Sequence, residues 1–350
     1  MLAKASRLSL LTALVAAALL AGCRGEPVRF VDDLDLELDF DRRDELHTPY
    51  VQGAQVRIDV RGGSNPDWFF ESSDPSVLRI DEQSATRARV TAAGGGVAEL
   101  RLMKPGRNEP VHSAEITVRT PTHVELSSRA ALLRGDDRGD AQVVEPRVVT
   151  GGTATFEVRY FSDSTRLHGN GVIVPEGSDA IAAERETSDL FEDREWLHLT
   201  PNTEGTHEVA LSAAGATLAP VTVHAVAPSA VDRVELTGEQ EDDYDQGDSI
   251  RVVAQGYDAE DRPLFGLDFT WLLEGMAQEG EGDLFRYSYD PDALAELEAR
   301  HEDLSATTEV HARGGTVDSS THVGCTATGA GGATGAGGTT GAGALPTWAT

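Results

Sequence analysis

Three stretches of the chain alternate apolar and polar side chains just after a glycine: Gly53-Ala-Gln-Val-Arg-Ile-Asp-Val60, Gly152-Thr-Ala-Thr-Phe-Glu-Val-Arg-Tyr160 and Gly247-Asp-Ser-Ile-Arg-Val-Val-Ala254. A period of two buries one face of a segment and wets the other, so each predicts a strand of an antiparallel sheet. The glycines are 99 and 95 residues apart. Similar strands precede two of them, Thr122-His-Val-Glu-Leu126 and Asp232-Arg-Val-Glu-Leu236, with Leu34, Leu36 and Leu38 in the comparable place before Gly53. A hairpin is predicted near the end of each unit, on Ala98–Leu102, His207–Leu211 and Thr308–Ala312, with turns at Lys104–Gly106, Ala214–Gly215 and Arg313–Gly315. One helix is predicted in the third unit, with Asp290 as N-cap, Pro291 at its first position and good helix formers over Ala293–Ala299.

A repeat of about 100 residues matches an immunoglobulin-like sandwich. The expected fold is all-β: three tandem Ig-like antiparallel β-sandwiches in an extended array, with one short helix in the third. The expected organisation is a signal peptide over 1–22, a lipidated linker over 23–29, sandwiches over 30–120, 121–228 and 229–322, and a tail over 323–350. Short links carrying Pro121 and Pro228 join the units. The middle unit carries the longest irregular stretch, Ser162 to Glu195. In the tail, every residue from Gly324 to Ala344 except Cys325 is Gly, Ala or Thr, a composition that buries too little apolar surface to offset ordering entropy.

Residues 1–22 place Lys4 and Arg7 before an apolar run from Leu8 to Leu20, the layout of a secretory signal peptide. That run falls short of the ~20 residues of a membrane-spanning helix. Leu20-Ala21-Gly22-Cys23 resembles the lipobox of bacterial lipoproteins. The resemblance implies a diacylglycerol on the Cys23 thiol and a further acyl chain at the new N-terminus, and two or more chains are what stable anchoring requires. Arg24 after the cysteine resembles the outer-membrane-destined class. With Cys23 lipid-modified, no intramolecular disulfide is expected.

The first unit's Trp68-Phe-Phe-Glu-Ser-Ser-Asp-Pro-Ser-Val77, followed by Ala93-Gly-Gly-Gly96, resembles bacterial Ig-like (Big) repeats. In the third unit Gly256, Asp258, Pro263, Leu264, Gly266, Phe269, Thr270 and Trp271 match a run found in invasin- and intimin-like repeats, with Asp261 replacing the usual turn glycine. The resemblance implies a fold and leaves function open.

The 350 residues hold 29 basic and 59 acidic side chains, a formal charge of −30, which excludes nucleic acid as a partner because such affinity rests on clustered Lys and Arg. No metalloprotease helix is present, since His301-Glu302 lacks a histidine at Ser305, and G-x-S-x-G, P-loop and C-x-x-C motifs are also missing. No catalytic residue, cofactor site or metal site is assigned. Asp33, Asp35, Glu37, Asp39 and Asp41 alternate with apolar residues and fit a solvated edge strand whose charge discourages aggregation. Calcium at the domain junctions is a candidate partner, with Asp232 and the 241–248 loop as the residues to supply ligands. Trp68 and Trp271 are expected in the core on central strands, while alternation turns Phe69 away from Trp68 and Phe70.

The expected function is a non-catalytic, lipid-anchored envelope protein of the outer membrane, attached through Cys23, whose Ig-like modules serve as spacer and adhesive surface for a protein or glycan. The alternatives are a carbohydrate-binding envelope module using exposed aromatics, and an envelope hydrolase with its site in 162–195.

Overall fold

The computed structural model describes residues 28–32, 46–134, 142–188, 194–239 and 244–312. The stretch 1–22 expected to be a signal peptide, Cys23, the acidic alternation from Asp33 to Asp41 with its leucines, the turn expected at Arg313–Gly315, and the tail with Cys325 lie outside these residues.

Six sheets form in three successive pairs. The first pair uses β1 (Arg29–Asp32), β2 (Tyr50–Val51), β3 (Gln55–Arg61), β4 (Phe69–Ser72), β5 (Leu78–Gln83), β6 (Arg87–Ala92), β7 (Gly96–Met103) and β8 (His112–Arg119). Its sheets run β1-β3-β6-β5 and β2-β8-β7-β4. The second pair begins with β9 (His123–Ser128), a six-residue helix α1 (Arg129–Arg134), β10 (Arg147–Val149), β11 (Ala154–Ser162) and β12 (Thr165–Leu167). It continues with β13 (Ile173–Glu176), β14 (Ile181–Ser188), β15 (Arg194–Pro201), β16 (Gly205–Ala213), β17 (Ala216–Thr217) and β18 (Val221–Val226). One sheet is β12-β11-β15-β14, with β9 also on β11; the other is β10-β18-β16-β13, with β17 on β16.

The third pair uses β19 (Arg233–Gly238), β20 (Ser249–Tyr257), β21 (Pro263–Leu264), β22 (Thr270–Leu273), β23 (Met276–Gln278), β24 (Leu284–Ser288), β25 (Ala295–His301) and β26 (Leu304–Val310). Here β20 pairs with β19, β21 and β24, facing a β23-β22-β25-β26 sheet. The protein is all-β, and the three glycine-led alternating stretches are the central strands β3, β11 and β20. Among the described residues no helix is long and apolar enough to cross a membrane.

The helix expected at 290–299 does not form. Asp290 does cap a turn, with its carboxylate accepting the Asp292 amide at 3.1 Å and its carbonyl the Ala293 amide at 3.0 Å. The chain then enters β25. Ala295, Leu297 and Ala299 are buried there while Glu296 is exposed, and Leu294, which a helix would place beside Leu297, points to solvent. Cross-strand partners on both sides, β22 and β26, outweigh the helix propensity of Ala, Leu and Glu.

In the third unit a hairpin joins β25 to β26 through Glu302-Asp303, with Thr308–Val310 on its returning strand. The turn expected at Arg313–Gly315 lies outside the described residues. The first two hairpins lie where the pattern put them, on β7 and β16. The first described strand of the first pair is Arg29–Asp32, antiparallel to β3. The 162–195 stretch, expected to be irregular, holds β12, β13, β14 and the start of β15.

Trp271 is buried on the interior strand β22, its ring stacked on Phe285 with centroids 5.3 Å apart. Trp68 departs from expectation. It precedes the edge strand β4, is only half-buried and covers Gly63, and Phe70 is the residue of that triplet that fills the core. Phe69 faces outward, 37% exposed.

One contiguous apolar core links the first two pairs, from Phe30, Val56 and Leu100 through Phe156, Leu197 and Val223, and it extends to Phe265 of the third. The third pair has its own core around Trp271, Ile250 and Leu297. Two smaller clusters tie it to the second: Ala130 and Trp196 with Val253 and Leu284, and Val149 with Leu264 and Leu267. Successive sandwiches are therefore joined by dry contacts, each fully buried Val or Leu contributing about 1.5–3 kcal/mol.

Candidate functional site

Two kinds of feature stand out from the sheet framework: a polar groove on the second sandwich, and the junctions between sandwiches. The groove, of about 410 Å³, lies on the outer face of the β11, β15 and β14 strands and is lined by Thr153, Ala182, Glu184, Glu186, His198 and Thr200. Alternation along β14 and β15 brings these side chains to one face, with Glu184 directly opposite His198 in the ladder. His198 Nδ1 lies 3.0 Å from the Thr155 hydroxyl, and its Nε2 lies 2.8 Å from Glu186. Thr153 and Thr200 share a hydroxyl contact of 2.8 Å.

A hydroxyl, an imidazole and a carboxylate in that order match the hydrogen-bond sequence of a nucleophile, a base and an orienting acid. The surroundings do not match. An acyl-transfer site needs donors aimed at a developing oxyanion. The amides flanking Thr155 lie in the plane of the sheet, where β11 is paired with β15 and, from Phe156 onward, with β9 as well. The groove draws Glu184 and Glu186 from the 162–195 stretch, and among the described residues it is a polar, half-open surface.

Beneath this sheet Glu195 is fully buried. Its carboxylate accepts the Tyr160 hydroxyl at 2.5 Å and the amides of Gly171 at 2.9 Å and Ile173 at 3.1 Å. Burial pushes the Glu195 carboxyl up, against the opposing pull of these donors. The Tyr160 hydroxyl is pushed well up by the same burial and by the neighbouring carboxylate. Glu195 thus fixes the 171–173 segment, and the chain here touches the first sandwich: Val172 packs over Gly53, and Gly169 sits against Ala54.

The first junction also carries a parallel bridge between Tyr50 and His168. His47, its Nδ1 2.6 Å from the Asp32 carboxylate, lies with its ring centroid 6.1 Å from that of His168. At the second junction Val148 bridges Phe265 in the same parallel sense. Arg129 on α1 lies over the Trp196 ring, 5.4 Å from its centroid, and donates to Asp283 at 2.7 Å. Arg147 reaches Asp258 at 3.4 Å.

Asp232, put forward for calcium, is exposed at the start of β19, and Asp245 and Asp248 of the 241–248 loop bond to each other. Residues 241–243 of that loop lie outside the described residues, and among the described ones no three His, Cys, Asp or Glu side chains converge to hold a metal ion. Glu195, Tyr160, Arg129 and the junction turns were not singled out by sequence. The turns had left a partial signal: of the three aligned glycines, Gly53 and Gly247 hold the third place of their turns and Gly152 the fourth.

No protein-family model matches the chain, and no curated protein sequence does either. Solved structures do match. The surface layer protein SbsC, domains 4–9, is 14% identical over 82% of this chain and 47% of that one, with a TM-score of 0.36. The Escherichia coli adhesin FdeC is 12% identical over 83% of this chain and 98% of its own, with a TM-score of 0.23. Invasin, a bacterial integrin-binding protein, is 9% identical over 83% and 60%, also at 0.23. This chain thus spans less than half of the SbsC fragment. The likeness at these scores is one of strand architecture and carries no argument about activity or partner.

Proposed function

We propose that the chain is a non-catalytic, lipid-anchored envelope protein in which three Ig-like modules, over 30–120, 121–228 and 229–322, act as spacer and interaction surface. The observation that carries this reading is the packing between modules: the apolar core passes from the first sandwich into the second, and two further apolar clusters join the second to the third. A chain of domains on flexible linkers would leave these faces polar and wet. Joints of this kind hold a surface at a fixed distance from an anchor, which is what a spacer must do. Cys23, within Leu20-Ala21-Gly22-Cys23, supplies the anchor in this reading. An acidic outer surface suits a protein or glycan partner over an anionic one.

The tether is tested by labelling cells that express the full chain with a clickable palmitate analogue. Label on the wild type, its loss in Cys23→Ala and release of that variant from the membrane fraction are expected. An unlabelled wild type, or an unchanged distribution of the variant, contradicts the tether. Carbohydrate binding is the second reading, favoured by the outward-facing ring of Phe69 on an edge strand. It requires Phe69→Ala to abolish a glycan-array signal that the wild type gives.

A further inference from the structure

The same turn occurs once in each sandwich, as Val51-Gln52-Gly53-Ala54, Val149-Thr150-Gly151-Gly152 and Asp245-Gln246-Gly247-Asp248. The three copies share their internal geometry. The fourth residue's amide donates to the first residue's carbonyl in each, at 3.1, 3.1 and 3.0 Å. The glycine in third place has φ of 95°, 84° and 96°. Its amide is tied to the end of a strand or strand-adjacent segment of its own sandwich, at Ala92, Pro201 and Tyr289.

The copies differ in where the first residue's amide goes. Val51 donates to the His168 carbonyl of the second sandwich, and His168 donates back to Pro49, both at 2.9 Å. Val149 donates to the Phe265 carbonyl of the third sandwich, and Phe265 donates back to Arg147, again both at 2.9 Å. In each case the accepting residue is followed by a glycine, Gly169 or Gly266, that fits against the fourth residue of the turn. The fit leaves no room. A Cβ on Gly169 would stand 2.5 Å from that of Ala54, and a Cβ on Gly152 would stand 1.6 Å from the Gly266 oxygen.

In the third sandwich the corresponding amide, of Asp245, donates at 2.8 Å to the carboxylate of Asp248, the fourth residue of its own turn. Val51 and Val149 are buried; Asp245 and Asp248 are exposed. One aspartate removes the donor that a following module would use, and its bulk fills the position that must be Ala or Gly for a module to approach. Two carboxylates also add a desolvation cost to any dry contact.

We propose that this turn is the socket through which one sandwich receives the next, that its partner is the residue–glycine pair of a neighbouring Ig-like module, and that Asp248 closes the socket on the third sandwich. Docked joints then follow the first and second sandwiches only, and whatever lies beyond the third is not seated through this turn. The inference deepens the spacer reading and is independent of the lipid anchor, so a failed palmitate label leaves it standing.

Hydrogen exchange on the full chain, resolved to single amides, tests it. Ala54→Asp copies the closed turn into the first socket, and the His168 amide is expected to exchange about tenfold faster or more, the loss of roughly one net hydrogen bond, while Ile58 and Val90 in the first core stay protected. Gly169→Ala attacks the joint from the other side, with the same expected loss at His168; it decides the matter should Ala54→Asp unfold the first sandwich. Asp248→Ala is expected to release the Asp245 amide by a similar factor and leave Val51 and Val149 unchanged. His168 protection that survives Gly169→Ala, or Asp245 protection that survives Asp248→Ala, overturns the proposal.

Discussion

The carboxylate of Glu195 and the hydroxyl of Tyr160 meet at 2.5 Å inside the second sandwich, with the amides of Gly171 and Ile173 completing the set. Burial raises the Glu195 pKa above its ordinary value. A carboxyl whose folded pKa is raised binds its proton more readily in the folded state. Its stabilising contribution is full below the ordinary carboxylate pKa and is lost as pH rises through the folded value. The urea stability of the wild type relative to Glu195→Gln is therefore expected to increase on going from pH 7 to pH 5, the opposite of the usual acid response. A difference that shrinks over this interval contradicts the assignment.

Truncation separates the two partners. Tyr160→Phe leaves Glu195 with its amide donors and is expected to cost about 1–2 kcal/mol. Glu195→Ala leaves the Ile173 amide on the Tyr160 oxygen but takes the acceptor from the Gly171 amide and the Tyr160 O–H in a buried space, and about 3 kcal/mol or more is expected. Chemical denaturation of the two variants gives the ranking directly.

Strand β25 makes a clear distinction between neighbouring leucines. Leu297 is fully buried between β22 and β26, and Leu297→Ala is expected to cost about 2–5 kcal/mol. Leu294 is exposed, and Leu294→Ala is expected to stay within about 0.5 kcal/mol of wild type. Equal costs would restore the helical reading of this segment.

The Thr155, His198 and Glu186 chain invites an assay for hydrolysis. Without oxyanion donors on the sheet face, the wild type is expected to turn over activated esters no faster than His198→Ala or Thr155→Ala. A rate that falls in both variants would make the groove an active site.

The framework was legible in the sequence wherever burial on one face writes a period of two, as in Gln55–Arg61, because that signal is local. It misled at 290–299, where Ala, Leu and Glu favour a helix in isolation and only the flanking strands β22 and β26 decide otherwise. A tryptophan within a repeat reads as core, which predicts a central strand for Trp68. The ring's actual position depends on β4 being an edge strand, which no local pattern states. The junctions were half visible. The turns can be aligned as Val-x-Gly-Ala, Val-x-Gly-Gly and Asp-x-Gly-Asp, but the meaning of the valines lies in carbonyls of the next sandwich, such as His168, more than a hundred residues away. The Glu195 network is hidden for the same reason, since its donors come from a separate segment of the fold.

A spacer requires packed joints that hold the sandwiches in fixed relation. With Cys23 and Cys325 replaced by serine, spin labels at Val97→Cys in the first sandwich and Thr307→Cys in the third, both on exposed strand positions, allow their separation to be measured by pulsed dipolar spectroscopy. A single narrow distance distribution, broadened by Gly169→Ala, is the expected result. A broad distribution in the unaltered joints would show that the modules move independently and would contradict the spacer.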